Sequence, residues 1–179
     1  MDPDFKRFTN FLTGLGTTDI PHSGEGFLAH LIGVHNDLAR WGCEQDVCRG
    51  GLFHSIYGTE KFQQFGLPLE QRDELRELIG ARAEELAYWN CAMDRPSFDA
   101  AVINGGPRVM GDRYTGDQIE LSEQDFGDLF WIQVCDWLEQ VPRSQEWDYR
   151  REAYREMARS LGGIALEEYD RVFAQEVGG

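Results

Sequence analysis

The four histidines, His22, His30, His35 and His54, all fall in the first third of the chain. His30 shares the inward side of an apolar helical stripe with Phe27 and Val34, and His35 lies at the stripe's other edge, towards Leu28. His54 follows Gly51-Leu52-Phe53 in a nearly unbroken apolar run. Far along the chain, Asp136 sits within Phe130-Trp131-Ile132-Gln133-Val134-Cys135-Asp136-Trp137-Leu138. A carboxylate in such surroundings loses several kcal/mol of hydration unless something positive meets it. A divalent metal, with two neutral imidazoles beside the carboxylate, would meet that need. Plainer arrangements would also serve: a histidine bonded to a carbonyl, an aspartate paired with an arginine or capping a helix.

Other chemistry is largely excluded. The sequence has no G-x-G-x-x-G, no P-loop and no G-x-S-x-G elbow. Asp and Glu number 32 against 17 Lys and Arg, a net charge of −15, which repels phosphate backbones and anionic lipid at long range. Nucleic-acid and membrane partners are therefore not expected, although a local basic pocket stays open and the acidity alone keeps a protein dissolved. Lys6 and Lys61 are the only lysines, so positive charge rests almost wholly on arginine. Cys43, Cys48, Cys91 and Cys135 form no C-x-x-C and read as small hydrophobes. No apolar run approaches eighteen residues. The acidic start Met1-Asp2-Pro3-Asp4-Phe5 is unlike a signal peptide, which sets the expectation of a cytoplasmic, unprocessed protein.

The elements that must position these residues read as helices. Of the 179 residues, 41% are hydrophobic and 12% aromatic, enough for one core in a chain of one domain's length. No repeat, low-complexity tract or linker divides it. The first stripe is Phe5, Phe8, Phe11 and Leu12, stopped by Gly14 and Gly16. A second helix is expected over about 25–41, a third over 44–56, and a long one from Pro68 through Met93. Pro96 opens a short helix that Gly105-Gly106-Pro107 ends. Residues 107–121 read as the one irregular stretch of length, a small hairpin around Gly111 and Gly116. Ser122 and Asp125 have capping-box spacing ahead of a helix reaching Val141, before Pro142. Two more amphipathic helices, about 144–161 and 163–177, complete an all-α, single-domain bundle of six or more helices with an irregular segment near 105–121.

Three stretches resemble the HD-domain superfamily of metal-dependent proteins. Phe27-Leu28-Ala29-His30-Leu31-Ile32-Gly33-Val34 is similar to its first ligand helix, Gly50-Gly51-Leu52-Phe53-His54-Ser55 to the helix that ends in a His-Asp pair, and Val134-Cys135-Asp136-Trp137-Leu138-Glu139-Gln140 to the later helix giving the last Asp. More narrowly, His22-Ser23-Gly24 and Leu52-Phe53-His54-Ser55-Ile56-Tyr57-Gly58-Thr59-Glu60 resemble small HD-like proteins with His-Ser in place of His-Asp. The likeness covers about residues 5–142. It implies an HD-like fold with its metal-site core over about 20–142, and His30, His54 and Asp136 as ligands. Ser55 departs from the pattern: a neutral hydroxyl is a poor substitute for the carboxylate that commonly bridges two ions, so one ion, Fe, Mn or Zn, is implied and no organic cofactor.

Around that ligand set, Glu60 is a candidate fourth ligand or general base. His22, on a Gly-containing loop before the ligand helix, is a candidate to bind or protonate substrate, and Tyr57 a candidate hydrogen-bond donor. Arg108 and Arg113 on the irregular segment, together with His35, are candidate substrate contacts; the arginines would clamp an anion. The function this implies is a metal-dependent enzyme acting on a small molecule, first by hydrolysis of a phosphate ester. The alternatives are a non-haem iron oxygenase or related redox enzyme using two histidines and one carboxylate, and a non-catalytic protein that binds a ligand or another protein in the same pocket.

Overall fold

The apolar stripes fold much as they read. The computed structural model describes residues 2–17, 20–22, 25–63 and 66–176, except for the side chains of residues 21, 22 and 25. The first helix, α1 (Phe5–Gly14), buries Phe8 and Leu12. A two-residue hairpin, β1 (Pro21–His22) with β2 (Glu25–Gly26), leads directly into α2 (Phe27–Arg40). Then come α3 (Gln45–Leu52), α4 (Arg72–Ile79), α5 (Ala81–Ala92) and α6 (Arg95–Asn104). A second antiparallel hairpin, β3 (Val109–Gly111) with β4 (Gln118–Glu120), occupies the irregular stretch. The chain continues with α7 (Glu123–Ser144), α8 (Arg151–Leu161) and α9 (Gly163–Phe173). Nine α-helices among the described residues make this an all-α, single-domain bundle. No helix among the described residues is long and apolar enough to cross a membrane.

Local chemistry explains most boundaries. Ser122 and Asp125 form the reciprocal capping box, each side chain accepting from the other's backbone N–H, and so start α7. Asp94 caps α6 through Ser97 N–H, and Gly105 ends it in the left-handed conformation. Three boundaries differ from expectation. The stretch expected as one helix from 68 to 93 is two, because Gly80, at φ +99°, breaks it between α4 and α5. Helix α7 runs through Pro142 to Ser144, since a proline in the last turn removes only one bond and Gln145 closes the helix in the left-handed region. Helix α3 stops at Leu52, and residues 53–57 continue as tight turns closed by Ile56 N–H to Phe53 O and Gly58 N–H to Ser55 O. The glycine pair Gly50-Gly51 weakens that helix but serves packing: a Cβ at Gly51 would stand 2.3 Å from Leu38 Cδ1.

The core has two apolar clusters that meet along α2 and α5. Phe27 and Leu31 of α2 join Phe8, Leu12, Leu52 and Phe53, whereas Val34 and Leu38 join Ile132, Val134 and Trp137. The long α7 packs against α2, α3, α5, α8 and α9. That central position brings residue 136 to the two histidine segments more than eighty positions earlier.

Candidate metal centre

Helix α2 delivers His30 to the interior, one turn after Phe27 and one before Val34, with no solvent exposure. His54 arrives from the turn that follows α3, and Asp136 from the middle of α7; both are buried. Their ligand atoms form a triangle. His30 Nε2 lies 3.1 Å from Asp136 Oδ1, His54 Nε2 lies 3.4 Å from the same oxygen, and the two Nε2 atoms are 3.4 Å apart. Three ligands about 2.1 Å from one ion stand roughly 3.0 Å apart at octahedral angles and roughly 3.4 Å apart at tetrahedral ones. The observed edges fall in that range, so the group fits one transition-metal ion.

The surrounding bonds orient both imidazoles in the same sense. His54 Nδ1–H donates to the Gly51 carbonyl at 2.7 Å. His30 Nδ1–H donates to Glu139, which lies one turn beyond Asp136 on α7 and is held by Arg143 at 2.7 Å. A carbonyl and a carboxylate can only accept, which fixes the Nδ1–H tautomer and leaves each Nε2 lone pair facing the shared centre. Gly33 lets Glu139 come this close, because a Cβ there would stand 3.2 Å from Glu139 Cγ. Gln140 Nε2 donates to Asp136 Oδ1 at 2.7 Å, steadying the carboxylate.

Without a metal, a proton does part of the same work. Burial opposes charge on His30, but hydrogen bonds and charge from Asp136 and Glu139 outweigh it and raise the imidazole pKa from 6.5 to about 9. Burial likewise opposes ionised Asp136, yet the His54 charge and hydrogen bonds from both histidines hold its pKa well below 3.8. The His30 contribution is complete below pH 6.5 and is lost as pH rises through 9; that of Asp136 is present above 3.8 and is lost in strong acid. The thermal midpoint of metal-free protein is therefore expected to fall between pH 6.5 and 9, and metal affinity to rise over the same interval as the proton is displaced. Thermal unfolding in chelator across that range checks it; a flat or rising midpoint counts against the proton bridge.

His54 and Asp136 form one wall of a pocket of about 250 Å³. Ser55 lines it too, buried, with its hydroxyl making no hydrogen bond to any described residue. Two cations reach the same pocket. Lys61 pairs with Glu146 and lies 4.1 Å from the Tyr149 ring centre. Arg95, 8% exposed, donates to the Tyr149 hydroxyl. Trp137 and Tyr154 stack face to face, 5.4 Å apart, as its aromatic wall.

The remaining expected site residues lie elsewhere. Glu60 is exposed, and its carboxylate accepts from Arg95 N–H at 3.0 Å, capping α6. Tyr57 donates to Glu84 at 2.8 Å and is not part of the pocket lining; burial and the Glu84 charge raise its pKa strongly. His35 packs its ring 4.7 Å from Phe5 and lines a different pocket, with Asp2 and Cys48; burial lowers its pKa. Arg113 donates to the carbonyls of Cys91 and Gly58, stitching the second hairpin to the end of α5. Arg108 is exposed just before β3. The side chain of His22 lies outside the described residues. Thus the ligand triad converges, whereas Arg108 and Arg113 do not line the pocket that Lys61 and Arg95 reach. Sequence reasoning passed over Glu139 and Arg143, although their spacing from Asp136, three and seven residues, places all three on one face of a helix.

Fold and site together define an all-α protein whose two histidines and one carboxylate can hold a metal ion. Over residues 11–95, somewhat less than half of its length, the chain is similar to the family described as Domain of unknown function (DUF6817). That stretch contains His30 and His54 but ends before Asp136 and Glu139. No curated protein and no solved structure matches the chain significantly.

Proposed function

We propose that the protein is an HD-like, metal-dependent enzyme that hydrolyses a phosphate ester of a small molecule. The observation that carries this reading is the meeting of His54 and Asp136 with Lys61 and Arg95 in one pocket. His30, His54 and Asp136 would hold the ion, whose Lewis acidity is the chemistry it supplies when bound. Arg95 and Lys61 bind and orient the anionic group, Lys61 exchanging Glu146 for substrate. Trp137 and Tyr154 cover the organic part and exclude water. The pocket volume limits that part to a small molecule.

A specific feature favours a second reading. Two histidines and one carboxylate, with the uncharged Ser55 where a bridging carboxylate would stand, also suit a single Fe(II) in an oxygenase. The two readings separate when the metal-free protein is reconstituted with Mn(II), Co(II), Zn(II) or Fe(II) and assayed on phosphomonoesters and nucleotides, anaerobically and in air. Hydrolysis expects phosphate release without oxygen, supported by more than one metal and weakened by Lys61→Met. Silence of every metal without oxygen, with oxygen uptake by the Fe(II) form, overturns it. Silence everywhere favours a non-catalytic binding protein.

Ser55 bears on stoichiometry in either case. At most one firmly held ion is expected per chain, and Ser55→Asp, which adds a carboxylate to the pocket wall, should admit a second or tighten the first. Calorimetric titration with Mn(II) reads this directly; unchanged stoichiometry and affinity in the folded variant would show that residue 55 does not face the ion.

A further inference from the structure

His54 is anchored differently from the other two ligands. His30 and Asp136 sit within long helices, but His54 lies two residues past the end of α3, in a run of turns. No backbone N–H among the described residues reaches its carbonyl oxygen. Two side chains do. Asn90 Nδ2 donates to it at 2.7 Å and Cys91 Sγ–H at 3.1 Å, both from the buried side of α5. Asn90 Oδ1 in turn accepts from Gln133 Nε2, on α7 one turn before Asp136. Gln133 Oε1 accepts from Arg150 Nη1 at 2.6 Å. Arg150 ends the chain of bonds in an ion pair with Asp99 of α6, at 2.6 Å, and also donates to Tyr154 of the pocket wall at 3.1 Å.

Every link is used, and the inner members, Asn90, Cys91 and Gln133, are buried. Asn90 is 1% and Gln133 0% exposed. A buried primary amide must satisfy both its ends, so Gln133 can donate to Asn90 only while its oxygen is met by Arg150. Arg150 itself sits at φ +48°, a conformation unfavourable for a residue with a side chain, immediately before α8. Ordinary helix packing does not call for a charged group in this place, and apolar residues would fill the space at less cost.

We infer that Gln133 and Arg150 are positioning residues for His54, acting through Asn90, so that α8 supports the metal site although it contributes no ligand. This rests on reading His30, His54 and Asp136 as the metal ligands. The network fixes the backbone of the turn, and the Gly51 carbonyl then fixes the imidazole, which sets where Nε2 points. Residues 133 and 150 lie outside the stretch similar to the family described above, so the support for one of its two histidines comes from the rest of this chain.

The test uses the full chain loaded with Co(II), whose visible bands report the ligand set, in parallel with the metal-free thermal midpoint. Two variants separate positioning from packing. Gln133→Leu removes the amide altogether. Gln133→Glu keeps the acceptor for Arg150, and with it the tie between α7 and α8, but loses the donor to Asn90. Both are expected to bind Co(II) about 10- to 100-fold more weakly with altered bands, the Glu variant without a matching loss of thermal midpoint. Wild-type bands and affinity in either folded variant overturn the inference while leaving the metal reading intact. Wild-type protein that takes up no Co(II), or His54→Ala that binds it as well as wild type does, overturns both. Should neither Gln133 variant fold, the unaltered protein still decides: Zn(II) is expected to shift the Arg150 Nε–H resonance, and an unmoved signal overturns the inference.

Discussion

Replacing Asp136 with alanine is expected to weaken metal binding by more than about 100-fold, beyond the range typical of residues that only support a ligand. The carboxylate is the one negative corner of the triangle, 3.1 Å from His30 Nε2 and 3.4 Å from His54 Nε2. Its loss leaves two neutral donors and no compensation for the ion's charge in a buried site. Metal-free protein should suffer less, because His30 can release its proton once its partner is gone. Glu139→Gln is expected to fall between, about 10- to 100-fold, since it orients His30 without touching the ion. Asp73→Ala, at a side chain 90% exposed, controls for general loss of acidity and should change nothing. Isothermal titration with Zn(II) or Mn(II) checks the order; wild-type affinity in Asp136→Ala would remove the carboxylate from the ligand set.

The largest expected effect on stability is at Glu84. Its side chain has no solvent exposure, and it accepts from Arg72 Nε at 2.7 Å, Arg76 at 3.1 Å and the Tyr57 hydroxyl at 2.8 Å. Arg72 Cζ stands over the Tyr88 ring, 3.5 Å from its centre. Removing one member of a buried ion pair costs about 3–5 kcal/mol, because the partners keep their desolvation without its compensation. Arg72 and Arg76 are 26% and 42% exposed, so water recovers part of that, and Glu84→Ala should fall near the lower end, about 3 kcal/mol. For a chain of this size that lowers the thermal midpoint by roughly 10 °C. Urea unfolding at constant m-value measures it; a loss below about 1 kcal/mol would mean that the network is solvated. Tyr57, which Glu84 holds, lies in the turns after His54, so the variant should also loosen metal binding modestly.

The reach of sequence reasoning here follows from the range of the forces involved. Helix periodicity and capping are local, so the stripe of α1, the box at Ser122 and Asp125 and the hairpin after Pro107 are legible from a few neighbouring residues. Asp136 was legible for another reason: a carboxylate inside Phe130–Leu138 needs a partner, wherever that partner comes from. Local reading failed where tertiary contact overrides it. The apolar run after Gly51 continues a helical pattern, yet the chain turns at Phe53, because Asn90 and Cys91 satisfy the His54 carbonyl from another helix. The stretch from Pro68 to Met93 reads as one helix, yet Gly80, at φ +99°, divides α4 from α5. The cations of the pocket were least legible. Arg108 and Arg113 stood out on the irregular segment, but the hairpin's packing uses Arg113 to bind carbonyls, whereas Arg95 enters the pocket from α6 through contacts no local spacing encodes.

The central claim is that His30, His54 and Asp136 hold one ion together, and anomalous diffraction from crystals of the metal-reconstituted protein tests it most directly. One peak is expected at the absorption edge of the supplied metal, within about 2.5 Å of His30 Nε2, His54 Nε2 and the Asp136 carboxylate. An absent peak at saturating metal, or a fully occupied one away from these three side chains, would contradict it.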